Sequence, residues 1–295
     1  MIINIPAKTF LLGEYSALIG GSAIILTTTP CFKLSWNPYK NFIDEKITYP
    51  PAKYLWKNSF LHNRGKISWN DPYKNNGGLG SSSAQFLGIY LIKCYLSSTL
   101  PSIKHLTKSY FKYIKIINKK QQTLYTSGYD LIAQTQKLCV YFNQKNKTLH
   151  NYNWPFKDLS FLLLHSNKKI KTHLHLKNIT ILKSFNVLSK ITEFAKLAFI
   201  KKNSSMLIQS INQYQKKLEQ FNLITDYTKE YINFFKKKFN ILASKGCGAL
   251  GADVILLIIP NSELKKQINY FRTNNWIILA TNHNLNIKKP LIMYN

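Results

Sequence analysis

The sequence predicts an α+β protein of two domains, expected to divide into residues 1–155 and 156–295. Three observations carry this. Strand-type and helix-type segments follow one another irregularly rather than in strict alternation. A chain of 295 residues can form one large core or two ordinary ones. With 45% hydrophobic and 14% aromatic residues, the chain can bury enough apolar surface to exclude disorder.

Residues 2–5 and 22–29 read as two strands linked through PAKTFLLGEY, the second being β-branched and bounded by Gly20-Gly21 and Pro30. From 33 to 69 aromatic and polar residues alternate, which predicts further strands joined by proline-containing turns. NNGGLGSSSA at 75–84 then runs into QFLGIYLIKCYL, apolar at helical spacing, so a helix is expected over 82–96. A basic helix follows over 103–121, and a Ser-Gly turn opens another over 130–136. KLCVYF and KTLHNY pair across the polar QKN turn. The apolar run 159–165 is a buried-type strand opening the second domain. Residues 178–239 are largely helical, with Lys, Gln and Asn outside and Leu, Ile and Phe inside. SKGCGALGADVILLIIP is a second glycine-rich loop feeding a buried strand, and ELKKQINYF and WIILATN close the chain as helix and strand. There is no fixed-period repeat.

The formal charge of +29 permits an anionic partner but does not identify one, because the lysines are spread along the chain among Asn, Ile, Tyr and Phe. Cys31, Cys94, Cys139 and Cys247 are far apart and have neither metal-ligand nor paired-disulfide spacing, which fits reduced thiols in the cytoplasm. Lys8 and Glu14 interrupt the apolar N-terminus, so it does not read as a secretory signal. The run 254–259 ends at Pro260 and is too short to span a bilayer. No membrane partner is expected.

NNGGLGSSSA has the composition of a phosphate-binding turn. A helix start exposes unpaired N–H groups and the positive end of the helix dipole. Glycines allow close backbone approach, and serine hydroxyls can meet a phosphate oxygen or Mg²⁺. A serine-capped flexible loop would look the same. Neither a G-x-x-x-x-G-K-[ST] loop nor a Gly-x-Gly-x-x-Gly dinucleotide fingerprint is present.

Three stretches resemble the signatures of the GHMP kinases, the family of galactokinase, homoserine kinase, mevalonate kinase and phosphomevalonate kinase. PAKTFLLGEYSALIGGSAI at 6–24 is similar to the N-terminal P-G/A-K-x-x-L-x-G-E-[HY] segment. GGLGSSSA at 77–84 is close to the G-L-G-S-S-A nucleotide-phosphate loop. KGCGALGADV at 245–254 is similar in place and glycine content to the G-A-G-G-G motif, although Ala249-Leu250 interrupt the glycine run. Between them Ser127-Gly128-Tyr129-Asp130 resembles the S-G-x-D of the isoprenoid-pathway branch.

The resemblance implies an N-terminal ribosomal-protein-like βα domain, a C-terminal ferredoxin-like domain, and ATP and Mg²⁺ as cofactors. It implies Lys8 and Asp130 as catalytic residues; Gly77, Gly78, Leu79, Gly80, Ser81, Ser82 and Ser83 around the nucleotide phosphates; and Ser82 as a metal ligand. Glu14, Tyr15, Gly246, Gly248 and the loop residues Lys171 and Thr172 would contact the acceptor, while Asp253 would steady its loop. His173 and His175 lack a third ligand.

For the acceptor, Glu14-Tyr15 and SGYDLIA look more like phosphomevalonate kinases than mevalonate kinases. Mevalonate kinases carry a Mg²⁺-binding glutamate where this chain has Lys119, and Gln122 matches some phosphomevalonate kinases. The chain length suits a mevalonate kinase better, so both acceptors stay open, with phosphomevalonate favoured. Other readings are a GHMP kinase for a sugar or homoserine, a non-catalytic nucleotide binder, and a nucleic-acid-binding protein on the same fold. The oligomeric expectation is a monomer or homodimer.

Overall fold

The computed structural model describes residues 1–38, 47–59, 65–74, 76–119, 126–167, 185–290 and 292–293. These residues build two antiparallel sheets. The first half contributes β1 (Ile2–Leu12), β2 (Ser22–Asn37), α1 (Pro50–Lys57), β3 (Lys66–Asn70), α2 (Ser81–Leu96), α3 (Ile103–Lys119), α4 (Tyr129–Gln134), β4 (Cys139–Asn143) and β5 (Thr148–Tyr152). Then come β6 (Leu159–His165), α5 (Phe185–Lys201), α6 (Ser204–Gln220), α7 (Asp226–Lys238), β7 (Ala243–Cys247), β8 (Val254–Pro260), α8 (Leu264–Thr273), β9 (Ile278–Thr281) and β10 (Ile292–Met293).

The first sheet runs β10-β1-β2-β4-β5, with β3 also paired to β2; the second runs β7-β8-β6-β9. From β6 onward the described elements follow a β-α-β-β-α-β order, with three described helices in the first crossover, as in ferredoxin-like folds. β10 pairs with β1 through Ile2↔Met293 and Ile3↔Ile292, so the chain returns to the first sheet at its end, which the sequence pattern does not foretell.

PAKTFLL, expected as a connection, is instead the second half of β1. The β1–β2 register shifts between Ile5 and Ala7, so Pro6 on one strand and Thr29–Cys31 on the other are accommodated in an irregularity rather than ending the strands. This extension is what makes Lys8 a strand residue. In the 33–69 region the expected series of strands is part strand and part helix: α1 starts with Pro50-Pro51, the position where a missing N–H costs a helix nothing.

The second sheet is covered on both faces, which explains the uninterrupted apolar run of β8. Phe161, Leu163, Leu256 and Ile258 join the large core that includes α2, α5 and α6, whereas Leu162, Leu164, Ile255, Leu257 and Ile259 pack with Ile232 and Phe235 of α7 and Leu264 and Phe271 of α8. The large core is continuous from Ile3 and Leu34 of the first sheet to Ala243 and Leu279 of the second. None of the described helices is long and apolar enough to cross a membrane.

Candidate active site

β1 carries Lys8 into the interior, where its side chain is 10% exposed and its Nζ lies 3.0 Å from Oδ2 of Asp130. Asp130 is in the first turn of α4, an end that favours a carboxylate, and stays 36% exposed. Phe10, two residues along the same strand face, puts its ring centroid 5.0 Å from Lys8 Nζ. The backbone of Lys8 is tied as well: its N–H donates to the carbonyl of Leu79 at 3.0 Å. Thus one strand residue joins two of the motifs by side chain and by main chain.

The glycine loop ends at Gly80, the N-cap of α2, whose φ of +81° is the left-handed region. Among the described residues no side chain caps the helix; the Ser83 hydroxyl turns inward and donates to the Gly80 carbonyl at 3.0 Å. The amides of the first turn therefore keep their ability to bind an anion. A Cβ at Gly80 would lie 2.8 Å from Cγ and 2.9 Å from Cε of Lys8, so the stem of that lysine packs directly on the loop. Gln134 completes the junction by donating from Nε2 to the carbonyls of Pro6 at 2.9 Å and Gly80 at 3.0 Å. Ser81 is half-buried, Ser82 exposed, and Leu79 buried as an anchor for the loop.

The third motif reaches the same place. A Cβ on Gly78 would be 2.8 Å from Cβ of Asp253, and one on Gly248 2.6 Å from its Oδ2, so Asp253 sits between the two glycine loops. Asp253 thus lies against the phosphate-type loop itself, beyond the loop-steadying part expected of it.

Two tyrosine hydroxyls lie near enough to Asp130 to feel its charge. Tyr49 and Tyr110 share a hydrogen bond of 2.9 Å, and Tyr110 continues at 3.3 Å to Thr126, whose hydroxyl accepts the Gly128 N–H. Burial, with the Asp130 charge adding to it, pushes both phenols above the ordinary tyrosine range, so they are neutral hydroxyls at working pH.

The remaining expected contacts fall differently. Glu14 is buried in an ion pair with Lys245, and the Tyr15 hydroxyl accepts the Leu250 N–H at 3.2 Å, so both face the third motif. Gly246 belongs to β7 rather than to a loop; a Cβ there would be 2.6 Å from the Gly251 carbonyl oxygen, which marks it as a packing glycine. Gly248 is half-buried beside Asp253. Gly77 is half-buried. Lys171, Thr172, His173, His175 and Gln122 lie outside the described residues. Lys119 is exposed at the end of α3.

Gln134 and Lys245 were not anticipated. Gln134 carries a legible signal, since it stands one helical turn beyond Asp130 and shares its face. Lys245 does not, because its partner is 231 residues away.

Hard oxygen donors suit Mg²⁺, and the exposed Ser82 hydroxyl and the partly exposed Asp130 carboxylate are of that kind. Among the described residues no group of three or more His, Cys, Asp or Glu could hold a metal ion.

No protein-family model matches the chain, and no curated protein sequence does. Solved structures are similar over nearly its whole length. A mevalonate kinase crystal structure covers 98% of this chain and 100% of its own, with TM-score 0.70 at 16% identity. Streptococcus pneumoniae phosphomevalonate kinase in complex with phosphomevalonate and AMPPNP covers 95% and 99%, with TM-score 0.72 at 14% identity. Lactococcus lactis galactokinase complexed with galactose covers 98% and 94%, with TM-score 0.71 at 11% identity. The chain has the two-domain fold of the GHMP kinases.

Proposed function

We propose that the protein is an ATP-dependent phosphotransferase acting on a small-molecule acceptor, with phosphomevalonate favoured over mevalonate. The reading rests on one observation above the others: the Lys8–Asp130 pair, 3.0 Å apart, packs against Gly80 at the uncapped start of α2. An anion-binding helix end beside a cation–carboxylate pair is what phosphoryl transfer needs, because that reaction is driven by positioning and charge stabilisation. The structure of a relative bearing phosphomevalonate and AMPPNP supports both substrates by analogy of fold alone.

In this reading the amides of 80–83 and the Ser81 and Ser82 hydroxyls hold the nucleotide phosphates. Lys8 faces the transferring phosphoryl group and offsets charge as the bond to ADP breaks and that to the acceptor oxygen forms. With a hydroxyl acceptor, Asp130 takes the proton released. With a phosphate acceptor, already ionised, Asp130 orients Lys8 instead. Mg²⁺, held by Ser82 and phosphate oxygens, would supply further neutralisation of the triphosphate. Gly248 borders the acceptor side, and Lys171 and Thr172 are kept as acceptor contacts from the sequence resemblance.

We further propose a division at 155/156, a cytoplasmic enzyme with its four thiols free, and a monomer or homodimer. The test is turnover of mevalonate, phosphomevalonate, galactose and homoserine with ATP and Mg²⁺. Phosphomevalonate or mevalonate is expected to react, and Lys8→Met and Asp130→Asn to lower kcat by about 10²-fold or more at near wild-type Tm. Unchanged turnover in these variants refutes the roles of both residues. Absence of any turnover, together with steeply salt-dependent oligonucleotide binding, would favour the nucleic-acid reading that the +29 charge permits.

A further inference from the structure

Lys245 is fully buried on β7, and its ammonium pairs with a Glu14 carboxylate that is itself 9% exposed. The same Nζ donates to the Gly246 carbonyl at 3.2 Å and lies 5.8 Å from the centroid of Tyr214. Burial by itself would drive the ammonium below its ordinary range, but the Glu14 carboxylate that pairs with it and accepts its hydrogen bond reverses the balance, and it remains charged. Cys247 is pushed up to about 11 by burial against the pull of Lys245, so it is a neutral thiol.

Such a pair is a poor choice if stability is all that matters. Both charges lose their water, and Glu14 Oε2 is buried with no hydrogen-bond donor among the described residues. Apolar side chains of similar volume commonly fill such a position at no loss. What the pair does supply is direction, since each end has one geometry in which the other is satisfied.

That direction is set between two motifs. The turn 13–15 follows the strand that carries Lys8, and three neighbouring bonds tie the same turn and strand to the region of β7: Gly13 N–H to the Tyr214 hydroxyl at 3.1 Å, Leu250 N–H to the Tyr15 hydroxyl at 3.2 Å, and Cys247 Sγ to the Phe10 carbonyl at 3.4 Å. Downstream of Lys245 the chain enters the loop whose Asp253 packs on Gly78.

We infer that Glu14 and Lys245 are positioning residues that lock the third-motif loop against the glycine loop at 77–80 and so set the geometry of the nucleotide site without touching the acceptor. The inference rests on the nucleotide-binding reading given above, and it replaces an acceptor contact by Glu14 and Tyr15 with a clamp.

The experiment is calorimetric titration with AMPPNP alongside thermal denaturation, for the wild type, Lys245→Met, Glu14→Leu/Lys245→Met and Tyr15→Phe. The single Lys245→Met change strands a buried carboxylate and is expected to lower Tm strongly. The double change removes both charges and is expected to recover Tm while AMPPNP binds about tenfold more weakly, a split that a purely structural role would not produce. Tyr15→Phe is expected to weaken AMPPNP about threefold at little change in Tm.

Wild-type affinity in a double variant of wild-type Tm overturns the inference. Should the double variant not fold, Tyr15→Phe decides: weakened binding at unchanged Tm supports the clamp, and wild-type affinity overturns it. A wild type that does not bind AMPPNP at all overturns the nucleotide reading and the inference with it, an outcome distinct from the others.

Discussion

In the proposed reaction Lys8 depends on what surrounds its stem as much as on its charge. Gly80 gives up a side chain so that the Lys8 methylenes can lie against the loop, and Gln134 fixes the two carbonyls on either side. Gly80→Ala therefore tests the arrangement without altering any charge. The new methyl would require a left-handed alanine, costing about 1–2 kcal/mol, and would push Lys8 away from Asp130. A fall in kcat of about 10²-fold, larger than the loss in Tm explains, is expected from combined kinetics and thermal denaturation. A variant that keeps its kcat would mean that the close Lys8–loop contact is incidental.

Among the elements, α5 is joined to the first sheet by a carboxylate rather than by apolar contact alone. Glu193 Oε1 accepts from the Ser22 hydroxyl, from Tyr141 at 2.5 Å and from Asn143 at 3.3 Å, while Lys196 stands 4.0 Å from Oε2 and over the Tyr141 ring. Burial alone would raise its pKa; these donors, Ser22 first, outweigh burial and hold the carboxyl below the ordinary glutamate value. A depressed folded-state pKa gives stability that is present above the unfolded value and lost as pH falls through the folded one. Urea unfolding between about pH 5 and pH 3 should show this acid-side decline, and Glu193→Gln should flatten it. With the side chain 41% exposed the change in slope will be small, and an identical slope in the variant would remove Glu193 as its source.

At the scale of the molecule, the two sheets are not independent. The large core is continuous from Ile3 through Phe86 and Tyr214 to Leu256, and β10 brings the end of the chain back beside β1. Two sheets sharing one core should unfold together. Far-UV and near-UV circular dichroism are expected to trace a single coincident thermal transition, shifted upward by AMPPNP if the nucleotide reading holds. Two separated transitions would show that the shared core is energetically weak.

Much of this was legible in the chain because it is encoded locally. The start of α2 is announced by three glycines before it and three serines in its first turn, the β4–β5 hairpin by two short runs across a polar turn, and β8 by an unbroken apolar stretch. Motif order likewise pointed to Lys8, Asp130 and the glycine loop, and to the fold that the solved structures share. Where local chemistry was ambiguous the reading failed: Pro6 and Pro30 looked like strand ends because only the β1–β2 pairing reveals the irregularity that absorbs them, and α1 was hidden by prolines that suit a helix start as well as a turn. Tertiary structure alone decided that Glu14 meets Lys245, that Asp253 seats between Gly78 and Gly248, and that β10 joins the first sheet. Each depends on residues far apart in sequence whose encounter is fixed by burial of a common core, and no window along the chain contains both partners.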